Sequence, residues 1–168
     1  DIVRFWDMAA TKDVGKLDPD YTVGCLMKKV KGKFYILDIR RHRENPAENK
    51  DILEKTAVMD GKKVKIYEEQ EPGSSGKAVI YDHAATIFSG HIFEGIPSTG
   101  SKELRADPFA SACKNGLVYV VRADWTPIFI DEHAGFPNGR YKDQVDAASG
   151  AYSQLTKNKH HVVSGMRH

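Results

Sequence analysis

The sequence has few cysteines, no long apolar run and little excess charge, and each shortage excludes a class of protein. Its two cysteines, Cys25 and Cys113, lie in apolar segments without paired spacing. We therefore expect both to be reduced core residues of an intracellular protein, not a structural disulfide. No stretch approaches the roughly 20 apolar residues that a membrane-spanning helix needs, and the N-terminus lacks signal-peptide character. We expect a soluble protein without a membrane partner.

The formal net charge of +2 is too small to indicate a nucleic-acid partner by itself. Basic residues cluster at 28–33, 40–43 and 157–161, but such clusters are most often solvated turns. The histidines lack metal-ligand spacing apart from the neighbouring pair His160 and His161, so a zinc site is not expected.

The length of 168 residues, with 40% hydrophobic residues, suits one domain with a proper core and is short for two. We predict a single domain over residues 1–157 and a polar tail over residues 158–168. Asp1 stands directly before the first predicted strand, without a leading segment. We therefore expect the chain to be a piece of a larger protein.

Apolar periodicity and turn residues predict strands first and then alternating helices and strands. We predict strands at 2–10, 21–29, 33–40, 64–69, 91–96 and 117–121. We predict helices at 46–60, after residue 76, at 107–116, from residue 124 and at 143–156. This order favours an α/β fold in which three antiparallel strands open a mixed central sheet with helices on both faces.

The side chains also predict which sides of the elements are buried. Alternation in the third strand gives two faces, one with Phe34, Ile36 and Asp38 and the other with Tyr35, Leu37 and Ile39. Two helical stripes are apolar, formed by Ile52, Leu53, Thr56 and Met59 and by Ile80, Ala84, Ile87 and Phe88. Asp107 and Pro108 look like the N-cap and first residue of a helix, and the strand at 117–121 reads as buried.

The first strand is apolar for most of its length and carries one carboxylate, Asp7, near its end. Such a run predicts a strand in the middle of the sheet, covered on both faces. A carboxylate there costs free energy unless a cation, a hydrogen bond or a proton compensates it. Two interpretations stay open: Asp7 caps the following turn, or it is a metal ligand whose partners lie far along the chain.

Two further acidic groups stand where such partners are needed. Glu68, Glu69 and Glu71 end the fourth strand, and acids packed so closely are best tolerated where a cation binds. Asp143 and Asp146 begin the last helix, where their spacing puts them on one face, although they also suit the helix dipole. An Asp, a Glu and an Asp from three elements match what two-metal phosphodiester chemistry needs.

Five separated motifs resemble those of one family. They are Phe5-Trp6-Asp7, Asp20 to Gly24, Glu69 to Lys77, Lys102 to Ala106, and Phe136 to Gly139 with Asp143 to Ala147. In this order they resemble the C-terminal nuclease domain of tailed-phage terminase large subunits, from about Val3 to Leu155. The resemblance implies a ribonuclease H-like fold.

The resemblance also implies the site residues. By motif, Asp7, Glu69 and Asp146 are the catalytic acids and metal ligands, with Asp143 as an auxiliary ligand. Strand alternation alone would put Glu68 on the face of Val64 and Ile66, so Glu68 and Glu69 stay alternatives. At the position of Asp143 the family varies between Asp and His, which leaves direct ligation by Asp143 open. The implied cofactors are two divalent cations, Mg²⁺ or Mn²⁺.

The implied activity is a metal-dependent DNA endonuclease that cuts concatemeric viral DNA during packaging in the host cytoplasm. Lys102 and Arg105, in a loop between elements, are expected to contact DNA phosphates. The expected partners are double-stranded viral DNA and the terminase ATPase domain, small subunit and portal. The alternatives are another ribonuclease H-like nuclease, such as a resolvase or transposase core, and a catalytically silent DNA-binding or portal-docking module.

A phosphate-binding loop is a competing interpretation of the segment from Gly73 to Lys77. It fails on spacing, because Glu71 stands where the first glycine is required, and Ala78 replaces the Ser or Thr after the lysine. A nucleotide site is therefore excluded here. In the family that the motifs resemble, the ATPase motor lies in a preceding domain, so the resemblance implies cleavage and not translocation for this chain.

Overall fold

The computed structural model describes residues 1–9 and 17–157. The predicted tail at 158–168 lies outside the described residues, and so does the last position of the predicted first strand. The strands are β1 (Ile2–Asp7), β2 (Thr22–Val30), β3 (Lys33–His42), β4 (Lys65–Gln70), β5 (Phe93–Pro97) and β6 (Val118–Val120). The helices are α1 (Pro46–Asp60), α2 (Ser74–Ala85), α3 (Lys102–Lys114), α4 (Thr126–Gly135) and α5 (Asp143–Thr156). None of the described helices is long and apolar enough to cross a membrane.

The six strands form one mixed sheet in the order β5-β4-β1-β2-β3-β6. The first three strands pair antiparallel, β4 and β5 run parallel to β1, and β6 runs parallel to β3. The strand β1 lies in the middle of the sheet, as its apolar sequence predicts. The α/β class with a mixed central sheet is therefore confirmed.

Both faces of the sheet are covered, and each face has its own core. On one face α5 packs on β1 and β2, and Gly150 lies against the ring of Phe5, where a Cβ would overlap the ring. On the other face Trp6 packs with Leu53 of α1 and Phe88. The first turn of α5 lies near the end of β1, where the charges of Asp146 and Asp143 act on Asp7.

The predicted faces of β3 are wrong beyond residue 36 because the strand contains a bulge. Met27 pairs with Ile36, but Leu26 pairs with Asp38, so one residue of β3 is left over between them. The extra residue reverses the alternation that follows. Ile39 is therefore buried in the same core as Ile36, and Asp38 lies on the opposite face.

Two of the predicted apolar stripes need correction. In α1 the buried residues are Leu53, Thr56 and Ala57, whereas Met59 is 70% exposed. In α2, Ala84 is exposed and His83 is buried, because a buried carboxylate on β4 hydrogen-bonds the histidine ring.

Three further predictions are wrong for local reasons. The helix α3 begins at Lys102, where the Ser101 side chain caps the backbone N–H of Leu104, and Pro108 lies inside the helix. The strand β6 is short and pairs only with β3, so it is a half-exposed edge strand. Cys113 is exposed, whereas Cys25 is buried as expected.

Candidate metal centre

Four of the predicted acids lie near one another at one end of the sheet. Asp7 is the last residue of β1, and Glu69 lies level with it on the parallel neighbour β4, because Trp6 pairs with Glu68. The first turn of α5 adds Asp143 and Asp146 from above the same face. Because β1 and β4 are parallel, their carboxyl ends reach the same edge, so strand topology alone brings Asp7 and Glu69 together.

The two neighbouring glutamates point to opposite faces of the sheet. Glu68 is 1% exposed, lies on the side of α1 and α2, and its Oε2 atom is 2.7 Å from Nδ1 of the buried His83. Glu69 lies on the side of α3 and α5, where its Oε1 atom accepts a hydrogen bond from Arg105 at 2.9 Å. Glu69, and not Glu68, therefore shares a face with Asp7 and Asp146.

Lys102 and Arg105 do not lie in a loop, as the sequence suggested, but in the first turn of α3. From there both side chains reach the acids. The Lys102 ammonium group contacts Oδ2 of Asp146. The Arg105 guanidinium group lies 2.9 Å from Glu69 Oε1 and 3.9 Å from Asp146 Oδ1. The two cations thus partly compensate the charge of the acidic group.

The carboxyl groups perturb one another. Burial raises the pKa of Asp7 well above its usual value, and the charges of Asp146 and Glu69 raise it further. Burial also raises the pKa of Asp146, against the opposing effect of Lys102. Asp143 has its pKa raised to about 6 by burial, although it accepts a hydrogen bond from the backbone N–H of Tyr21 at 3.0 Å. Ionisation of Asp7, Asp143 and Asp146 is therefore unfavourable in the metal-free site.

The chemistry of the donor set fits a hard divalent cation, because Mg²⁺ and Mn²⁺ prefer carboxylate oxygen and because a cation would relieve the repulsion. Within residues 1–9 and 17–157, no group of three such donors is gathered closely enough to hold an ion as placed. The carboxylates of Glu69 and Asp146 contact Lys102 and Arg105 instead.

A cleft of about 480 Å³ opens beside the acids. Its lining includes Phe5, Glu69, Arg105, Asp146 and Ser149. The buried hydroxyl of Ser149 has no hydrogen-bond partner among the described residues. The cleft therefore offers carboxylates and a guanidinium group to a ligand that enters it.

A group of arginines beside the acids was not predicted from the sequence, because the basic run at 40–43 is typical of a solvated turn. The guanidinium carbons of Arg41 and Arg43 lie 3.4 and 3.7 Å from the ring centre of Tyr21. Arg140 joins them through Tyr141, whose ring centre lies 5.3 Å from its guanidinium carbon. Only the charge run pointed to this group, because its members are far apart in the sequence.

The fold is shared with terminase nuclease domains of known structure. The human cytomegalovirus terminase nuclease domain matches with a TM-score of 0.71 at 12% identity, over 93% of this chain and 83% of that one. The large terminase nuclease of a thermophilic phage with bound zinc matches at 0.64 and 21% identity, over 92% and 82%. The large terminase nuclease domain of bacteriophage SPP1 with bound Mn matches at 0.59 and 16% identity, over 92% and 86%. No curated protein sequence matches.

The six-stranded mixed sheet with five helices is thus the ribonuclease H-like fold of terminase nucleases. The family model described as "Terminase RNaseH-like domain" matches residues 4–155. The chain belongs to this family.

Proposed function

We propose that the chain is the metal-dependent DNA endonuclease domain of a phage packaging terminase, and that it cuts concatemeric viral DNA by two-metal phosphodiester hydrolysis. The convergence of Asp7, Glu69 and Asp146 at one edge of the sheet carries the proposal. The family match and the bound metals of its structural neighbours support it.

The roles of the acids follow from their placement. Asp7, Glu69 and Asp146 would hold two divalent cations, with Asp143 as an auxiliary ligand. When bound, such cations activate a water molecule for attack and stabilise the leaving oxygen. The sheet holds the backbone of Asp7, because Asp7 pairs with Val23 and its neighbour Trp6 pairs with Glu68. It therefore fixes the position of the site relative to the sheet.

Lys102 and Arg105 would change partners when the site is loaded. Without cations, their charges offset the carboxylates of Asp146 and Glu69. Lys102 remains 45% exposed, so its long side chain can turn outward at small cost. We propose that both side chains then contact DNA phosphates at the cleft.

The proposed partners are those of a packaging motor in the host cytoplasm. The substrate is double-stranded viral DNA, and the ATPase domain, small subunit and portal would deliver it. The sheet edge and cleft described above serve cleavage, and translocation would belong to the ATPase domain.

The test is cleavage of supercoiled plasmid by this chain, titrated with Mn²⁺, Mg²⁺ and Ca²⁺. We expect cutting with metal at about 1 mM or above, since few protein ligands are fixed and water completes the coordination. Mn²⁺ should support more cutting than Mg²⁺, and Ca²⁺ little. Glu69→Gln should abolish cutting, whereas Glu71→Gln, an exposed neighbour with the same change, should not.

The same assay separates the alternatives. A silent DNA-binding or portal-docking module would leave the plasmid intact at every metal concentration. A resolvase-type enzyme would cut a four-way junction in strong preference to linear duplex of the same sequence. Robust cutting in EDTA would refute the metal dependence.

A further inference from the structure

We propose that an arginine–tyrosine cluster beside the acids binds the phosphate backbone of duplex DNA. The cluster consists of Arg41, Arg43, Arg140, Tyr21 and Tyr141, together with the carboxylate of Asp18. The identity of the ligand rests on the proposed nuclease function, and the position of the surface rests on the geometry that follows.

Strand register places Arg41 on the face of the sheet that carries the acids. Asp7 pairs with Val23, and Val23 pairs with Arg41, so the three residues form one row across three strands. Directly paired residues point to the same face. Neighbouring strands lie about 4.8 Å apart, so the backbone at Arg41 is about 10 Å from that at Asp7. A duplex whose scissile phosphate lies at Asp7 therefore brings further phosphates to Arg41.

The guanidinium groups are held in place before any ligand binds. Arg41 and Arg43 lie over Tyr21, and both are also 5.3 Å from the ring centre of Tyr141. Stacked guanidinium planes lose less conformational freedom when they bind a phosphate oxygen, and their fork of N–H groups matches its geometry. The cluster is thus better suited to bind phosphate than to bind a monatomic anion.

The charges within the cluster leave an excess of positive charge. Asp18 accepts from Arg43 and Tyr141 and pairs with Arg140 at 2.7 Å. Arg41 has no ion-pair partner among the described residues. The cluster itself therefore contains three guanidinium groups and one carboxylate. Asp18 pairs with Arg43 and Arg140 but does not neutralise the cluster.

Acidic residues also lie beside the cluster. Asp131 and Glu132 of α4 line one groove together with Arg41 and Arg140, and Glu132 accepts hydrogen bonds from the backbone and side chain of Gln144. Their negative charge disfavours DNA inside that groove. The cluster is joined to the acids by Tyr21, whose backbone N–H donates a hydrogen bond to the carboxylate of Asp143.

The experiment measures binding of a short duplex by fluorescence anisotropy in EDTA, as a function of salt. Arg41→Gln with Arg140→Gln should weaken binding, and each lost phosphate contact should reduce the log-log salt slope by about 0.9. The lysine variants at the same two positions should keep the slope, because they keep the charge. The matched control is Lys28→Gln with Lys31→Gln, which removes the same charge at the opposite end of the sheet.

An unchanged salt slope in Arg41→Gln with Arg140→Gln would overturn the inference. An equal loss of slope in the control, Lys28→Gln with Lys31→Gln, would overturn it too. If the double variant does not fold by circular dichroism, Arg140→Gln alone serves, because its side chain is 71% exposed. Cutting plays no part in EDTA, so the two proposals fail separately. If the wild-type chain cuts plasmid and the arginine variant keeps its salt slope, only the proposed phosphate-binding cluster is refuted. If the arginine variant loses slope but the wild-type chain never cuts plasmid, only the proposed nuclease function is refuted.

Discussion

Glu68 and Glu69 are consecutive residues of β4 that point to opposite faces of the sheet. Glu68 is buried against His83, with 2.7 Å between Oε2 and Nδ1, and Glu69 faces Arg105 at 2.9 Å. One glutamate thus belongs to the interior beneath α2, and the other belongs to the cleft. The acidic run at the end of β4 therefore combines a structural carboxylate with a candidate ligand.

This separation predicts different results for the two positions. Glu68→Ala leaves the buried His83 ring without its partner and should lower the free energy of unfolding by about 1–3 kcal/mol. Its folded fraction should still cut plasmid. Glu69→Gln should keep its stability and lose cutting. Denaturant unfolding and plasmid nicking on the same samples check both, and a stable, inactive Glu68 variant would contradict the assignment.

Much of this arrangement could be predicted from the sequence. The apolar run of β1 predicts a central strand, and the acid spacing in α5 predicts a helix from Asp143, both of which are confirmed. Strand alternation predicts that Glu68 lies on the face of Ile66, and it does, whereas Glu69, which the motif match favours as the ligand, lies on the face of Asp7.

The rest depended on interactions that a linear pattern does not contain. The bulge in β3 reverses the faces beyond Ile36, and no residue there marks it. The helix α3 begins before the predicted N-cap Asp107, because the Ser101 side chain accepts a hydrogen bond from the backbone N–H of Leu104. The ion pairs of Lys102 with Asp146 and of Arg105 with Glu69 join residues from distant elements, so charge patterning along the chain could not reveal them.

Substitution of Arg4 is expected to have the largest effect on stability. Its buried guanidinium group bonds Asp60 at 2.7 Å and Asp38 at 2.8 Å on the face of the sheet away from the cleft. Arg4→Met would leave Asp60 without its ion-pair partner and Asp38 with Arg40 alone. Unfolding should therefore become easier by about 3–5 kcal/mol. The control is Arg40→Met, which loses a more exposed pair with Asp38 and should cost about 1 kcal/mol or less. Equal losses would contradict this account.

Asp7→Asn should abolish plasmid cutting without lowering the stability of the metal-free protein. The carboxyl of Asp7 is disfavoured by burial and by the charges of Asp146 and Glu69, so its removal relieves repulsion. Thermal unfolding in EDTA should give an unchanged or higher Tm. Asp146→Asn should also lose cutting. Retained cleavage in either variant would refute its assignment as a ligand.

His133 predicts a loss of stability in acid. Its ring packs against Phe129 and Phe109, and burial lowers its pKa from 6.5, against the weaker effect of Glu132. The unfolded chain therefore binds the proton first, so stability present above pH 6.5 is lost as the pH falls through that value, by at most about 1.4 kcal/mol per pH unit. In His133→Leu this contribution should be absent. Denaturant midpoints from pH 7.5 to 5 check it, and parallel profiles would contradict it.

Lys102 and Arg105 predict a dependence of DNA contact on metal. In EDTA the Lys102 and Arg105 side chains are paired with Asp146 and Glu69. Lys102→Ala with Arg105→Ala should therefore leave the salt slope of DNA binding unchanged. With Ca²⁺ present, which should support little cutting, the wild-type side chains are released to phosphates. Each lost contact should then reduce the slope by about 0.9.

The same variant should bind metal more tightly when DNA is absent. In the wild-type chain a cation competes with Lys102 for the Asp146 carboxylate and with Arg105 for Glu69. A partly exposed ion pair contributes up to about 1 kcal/mol, so removal of both pairs should strengthen Mn²⁺ binding by up to about thirtyfold in calorimetry. The control is Lys114→Ala, at the other end of α3, which should change neither quantity. Weaker Mn²⁺ binding in the double variant would mean that the Lys102 and Arg105 side chains hold the carboxylates in position instead of competing with the metal for them.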